Sequence, residues 1–161
     1  MTIGRRGALW SFLALTLLAA CSSEGRVQDM DAFFKEHKGE ILALEAGLRA
    51  LQAETGIRGV RREGERVNLT GQESLGLADA QERFPAFKGE IKTAWNLTEK
   101  LDLNHAYLLE DGSFWTITDA GDILGSDYGY LHVAAKPVSA YKILGSATPV
   151  AGAEGWSLIR F

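Results

Sequence analysis

The feature that most narrows the fold is a change of period partway along the chain. Before residue 104, two segments carry apolar side chains at helical spacing; from Asn104 onward they come in short runs broken by glycine. Phe34, Ile41 and Leu48 alternate with Leu44 and Leu51 at steps of three and four, one stripe along a helix expected from Asp29 to Thr55. Asp29 is placed to cap its first turn, Asp31 adds favourable charge there, and Gly56 is placed to end it. Gly39 and Gly47 each weaken such a helix by about 1 kcal/mol, so tertiary packing is expected to hold it. The stripe either lies on the domain's own sheet, which is the expectation, or forms a seam with a partner.

A second helix is expected from Pro85 to about Lys100. Proline suits a first helical position, and Phe87, Ile91, Ala94, Trp95, Thr98 and Leu101 share a face. Between the two helices, Gly59 to Leu69 reads as a hairpin turning at Glu63-Gly64, with Val67 and Leu69 alternating against polar neighbours. Its Arg61, Arg62 and Arg66 read as the solvated side rather than as an anion site. Residues 71–84 read as a loop and a helical turn.

In the C-terminal part, Ala106 to Leu109 and Phe114 to Thr118 bracket Asp111-Gly112, the strongest short hairpin signal in the chain. Further strands are expected at Ile123-Leu124, Tyr130 to Ala134, Tyr141 to Leu144 and Trp156 to Phe161. Helices followed by a run of antiparallel strands define an α+β domain. The expected form is an N-terminal helix and a second helix on one face of an antiparallel sheet of about four to six strands. A PAS-like or profilin-like arrangement would be an instance of it.

The N-terminus reads differently. Arg5-Arg6 precedes an apolar run from Ala8 to Leu18, and small residues lead to Cys21. A positive start, a short apolar middle and small residues before a cut site are the parts of an export signal. The run is about half of the roughly 20 residues that span a bilayer. Leu18-Ala19-Ala20-Cys21 resembles the lipobox of bacterial lipoproteins, in which the Cys thiol receives diacylglycerol and a peptidase cuts just before it. The resemblance covers residues 1–22. It implies cleavage between Ala20 and Cys21 and lipidation of Cys21, giving residues 1–20 as signal, 21–28 as tether and 29–161 as a single domain. Ser22, rather than Asp, implies by the family's sorting rule the periplasmic face of the outer membrane in a Gram-negative cell. Two or three acyl chains hold a protein durably where one is marginal.

Charge and composition then exclude function classes. The chain has 17 Lys+Arg against 21 Asp+Glu. Losing Arg5 and Arg6 with the signal leaves 15 against 21, about −6, with no basic tract, so no nucleic-acid partner is expected. Cys21 is the one cysteine, which leaves no disulfide, no redox pair and no thiolate nucleophile once it is lipidated.

No catalytic residue is assigned. Gly125-Ser126-Asp127-Tyr128-Gly129 is not a nucleophile elbow. His37, His105 and His132 show no metal-ligand spacing, and Asp119 to Asp122 lacks the remainder of a calcium loop, so no metal or cofactor is expected. The candidate partner-binding residues are Trp115, Asp127, Tyr128 and Tyr130, with Tyr107 on a neighbouring strand; these aromatics either face a partner or fill the core. The expected function is a lipid-anchored envelope binding module with a protein or small ligand, one version being an immunity or inhibitor lipoprotein. Two alternatives stay open: a non-catalytic accessory subunit docked through the Phe34–Leu51 stripe, and an envelope enzyme built on Asp119, Asp122 or Asp127 with a histidine.

Overall fold

The computed structural model describes residues 8–71, 73–118, 128–133 and 146–160, with side chains from Asp29 onward except at Ser146. The strands expected at Ile123-Leu124 and Tyr141 to Leu144 lie outside the described residues, as do Asp119, Asp122 and Asp127. Two compact units are present, Met1–Glu36 and His37–Phe161.

Helix α1 (Ala8–Thr55) crosses that boundary, and its backbone leaves helical geometry at His37 (φ −104°, ψ 15°). In the first unit Lys35 pairs with Asp31 one turn back at 2.5 Å. The expected helix start at Asp29 is corrected, because residues 21–28 are helical too. That stretch has no proline and one glycine, Gly25, so nothing in it stops a helix. Asp29 therefore caps no free turn.

In the second unit, α1 ends at Thr55, and the Gly56 amide donates back to the Gln52 carbonyl at 3.0 Å. There follow β1 (Ile57–Arg61), β2 (Arg66–Leu69), β3 (Ser74–Gly76) and α2 (Leu77–Arg83). A 3₁₀ turn at Pro85–Phe87 leads into α3 (Lys88–Lys100). The remaining strands are β4 (His105–Leu108), β5 (Phe114–Ile117), β6 (Tyr128–His132), β7 (Ser146–Pro149) and β8 (Trp156–Arg160). All pair antiparallel in one sheet, ordered β3-β2-β1-β4-β5-β6-β8-β7.

The α+β class is as expected, but among the described residues the sheet has eight strands rather than four to six. The excess lies at its edges. Ser74-Leu75-Gly76 and Ser146-Ala147-Thr148-Pro149 bond along one side only, so neither needs an alternating pattern. Pro149 is tolerated because an edge strand can spare an N–H. The second expected helix also divides, its first turn being 3₁₀ and its α-helical part starting at Lys88.

Both expected hairpins form. Arg62 to Glu65 turns β1 into β2, the Glu65 amide donating to the Arg62 carbonyl at 2.9 Å. Between β4 and β5, the Ser113 amide donates to Asp111 Oδ1 at 2.9 Å, and Gly112 takes φ +81°, a conformation glycine adopts without steric cost.

The sheet is read most simply by its rungs. Leu75, Val67, Val60, Ala106 and Thr116 pair in register across β3-β2-β1-β4-β5. Tyr130 continues the row, its amide donating to Thr116 Oγ1 at 3.0 Å, and Leu158 is its register partner on β8. From Val67 to Leu158 all of these are buried, so this face lies under the helices. Ile41, Leu44, Leu48 and Leu51 of α1 are at most 1% exposed. Each contributes about 1.5–3 kcal/mol by leaving water. Helix α3 buries Ile91, Ala94 and Thr98, and its Lys100 pairs with Glu40 of α1 at 3.0 Å. Among the described residues, no helix is long and apolar enough to cross a membrane.

Candidate functional site

Two clusters stand out, one on each face of the sheet. Under the helices, a second row runs Phe114, His132, Trp156 across β5-β6-β8. The His132 ring stacks on the Trp156 indole, centroids 4.7 Å apart and planes 6° from parallel. Phe114 meets the other edge of Trp156 at 73° and 6.0 Å. Onto this row α1 lowers Glu45, a carboxylate only 5% exposed.

Both Glu45 oxygens lie 2.9 Å from His132 Nδ1, and Oε1 also accepts from Arg49 Nη2 at 2.5 Å and Nε at 3.1 Å. A buried carboxylate is costly unless paired and hydrogen-bonded, and here it is both. The arrangement assigns the imidazole proton: Nδ1–H donates to Glu45, leaving Nε2 as a lone pair when the ring is neutral. Nε2 faces Gly155, where a Cβ would come within 3.3 Å of it, so glycine (φ +78°) gives the ring its room.

Chemically this is an oriented imidazole. Among the described residues, no group of three His, Cys, Asp or Glu side chains assembles to hold a metal. The hydrogen bond from His132 to Glu45, a carboxylate that Arg49 also holds, ties α1 to β6. The sequence carried a signal for it. Glu45 lies four residues after Ile41 and three before Leu48, on the apolar stripe itself, where a carboxylate demands a partner.

On the opposite face, helix-free among the described residues, one row crosses every strand: Ser74, Asn68, Gly59, Tyr107, Trp115, Leu131, Ser157, Pro149. Tyr107 and Trp115, expected on neighbouring strands, face each other directly and stack with centroids 6.3 Å apart and planes 13° from parallel. Both are half-buried. Burial pushes the Tyr107 phenol above its ordinary range, while the Arg58 charge pulls it the other way. Arg58 sits where the β1–β2 register shifts between Ile57 and Gly59, an irregularity that re-aims a side chain. One rung further on, Arg66, Arg61 and His105 stand side by side on β2, β1 and β4.

The four expected partner-binding residues do not converge. Trp115 joins the helix-free face, and Asp127 is outside the described residues. Tyr128 and Tyr130 are each 1% exposed and belong to the core, the second of the two readings that the sequence left open for them. The cause is position: β6 lies between β5 and β8, and its residues from Tyr128 to Leu131 are buried on both faces. Gly129 leaves no alternative, since a Cβ there would stand 1.8 Å from the Thr116 carbonyl oxygen. Sequence reasoning also passed over Glu45, Arg49 and Arg58.

Comparison with protein-family models, with curated proteins and with solved structures finds no match for this chain.

Proposed function

We propose that the chain is an exported lipoprotein, cut between Ala20 and Cys21 and lipidated at Cys21, whose domain works as a binding module in the cell envelope. The observation that carries this reading is Leu18-Ala19-Ala20-Cys21, set directly behind Arg5-Arg6 and the apolar run. Ser22 sends it to the periplasmic face of the outer membrane in a Gram-negative cell. An immunity or inhibitor lipoprotein is the concrete version, with a protein partner held at the membrane by the lipid alone.

Support for binding rather than chemistry comes from the helix-free face, where half-buried Tyr107 and Trp115 stack beside basic side chains. Aromatic and arginine side chains are the usual anchors of recognition surfaces. The accessory-subunit alternative draws no support from Ile41, Leu44, Leu48 and Leu51, which are buried within the second unit. Of the finer fold likeness, PAS-like or profilin-like, only helices laid on an antiparallel sheet supports the comparison.

The test is fractionation of cells making the chain and its Cys21→Ser variant, with affinity purification from the membrane fraction. The native chain is expected in the membrane fraction with a co-purifying envelope protein, and the variant outside it. Identical fractionation of the two would end the lipoprotein reading. An anchored chain that captures nothing and alters no toxin sensitivity would end the immunity version.

A further inference from the structure

On the helix-free face, one hairpin treats its arginines in two ways. Arg62 is paired, its Nη1 donating to Asp102 Oδ1 at 2.6 Å. Arg61 and Arg66 stand directly opposite each other on β1 and β2, like charges in a cross-strand pair, which is a destabilising arrangement. Neither makes an ion pair among the described residues, nor does Arg58. Arg61 Nε is buried and, among the described residues, has no hydrogen-bond partner. Three unneutralised guanidinium groups thus gather on one face of a chain whose net charge is −4.

The next rung, two residues along the strands and so about 7 Å away, holds Asn68, Gly59 and the Tyr107–Trp115 stack. Gly59 contributes no side chain, so the step between the arginines and the aromatic wall stays open. A guanidinium fork matches a carboxylate or a phosphate. A stacked Tyr and Trp offer an apolar wall to the flat face of a ring, and the Asn68 amide can both donate to and accept from hydroxyls. The distance between the rungs is that of one hexose with its acidic group.

We propose that this face binds an anionic sugar, a carboxylate or phosphate on a single pyranose ring, with Arg61 and Arg66 gripping the anion and Tyr107 and Trp115 lying against the ring. The site rests on the binding-module reading above and names its ligand class. The charge that Arg58 places beside Tyr107 adds to the same field.

The test is calorimetric titration of the full chain in detergent with glucuronate, glucose 1-phosphate, inorganic phosphate and glucose. At least one of the two sugar anions should bind, and which one tells carboxylate from phosphate. Glucose and inorganic phosphate should each bind at least tenfold more weakly than that sugar anion. The Arg61→Gln/Arg66→Gln pair should weaken sugar-anion binding at least tenfold while raising Tm, since it removes a like-charge pair. Arg83→Gln, at an exposed arginine paired with Glu73, should leave binding unchanged.

No heat with either sugar anion, equal binding of glucose or of phosphate, or unchanged binding by the double variant would overturn the site. So would a fall in Tm, which would make the arginines structural. If the anchored chain captures a protein partner yet binds neither sugar anion, the site fails and the binding-module reading stands. Sugar-anion binding by a chain that carries no lipid sustains the site and ends the lipoprotein reading.

Discussion

The clamp between Glu45 and His132 yields a number. Glu45 is 7% exposed at its side chain, whereas His132 and Arg49 keep 30% and 40% of theirs in water. A hydrogen bond to a charged group contributes about 1.5–3 kcal/mol when sheltered. With nearly a third of the imidazole solvated, about half of that is expected here, so the coupling should be about 1 kcal/mol. Glu45→Ala also loses one buried methylene at about 0.8 kcal/mol, giving about 2 kcal/mol in all. His132→Ala loses the Trp156 stack, about 0.5–1.5 kcal/mol, together with the same coupling. The assay is a double-mutant cycle by urea denaturation followed by circular dichroism. The double variant should be less destabilised than the sum of the singles by about 1 kcal/mol. Additivity within about 0.3 kcal/mol would refute the view that helix and sheet are joined here.

Other consequences are simpler to read. Leu44→Ala, at a position with no exposure, should cost about 2–5 kcal/mol, while Leu42→Ala, at 39% exposure on the same helix, should cost under about 1 kcal/mol in the same denaturation assay. Gly129→Ala should prevent folding or cost several kcal/mol, because the added carbon meets the Thr116 carbonyl. Gly47→Ala, with open space around it in α1, should instead stabilise by about 1 kcal/mol. Tyr107 should titrate above the usual tyrosine range when followed by ultraviolet absorbance, and Arg58→Gln should raise it further. Because the folded phenol keeps its proton after unfolded chains have lost theirs at about pH 10, that residue's contribution to stability is present below pH 10 and falls as pH rises through the folded value.

Legibility in the sequence followed the physics of each element. The α1 stripe and the two hairpins were readable because local rules govern them: period 3.6, Glu63-Gly64, and Asp111-Gly112. Strands β3 and β7 were not, since three- and four-residue edge segments take their stability from a neighbour's backbone rather than from a pattern of their own. Tyr128 and Tyr130 read as aromatics on one side of a strand, either facing a partner or filling the core. Their burial comes from where β6 lies in the strand order, a long-range fact. Glu45 falls on the apolar stripe, which signals a buried partner, but nothing local reports that the partner is a histidine 87 positions away. Arg61 and Arg66 were visible as charges, but only the register set them opposite each other.

The direct measurement is intact-mass analysis of the mature protein extracted from membranes. A polypeptide beginning at residue 21, heavier than its sequence by a diacylglycerol and with or without an amide-linked acyl chain, is the expected product. A chain that retains Met1, or that begins at Cys21 with a bare thiol, would contradict the lipoprotein assignment.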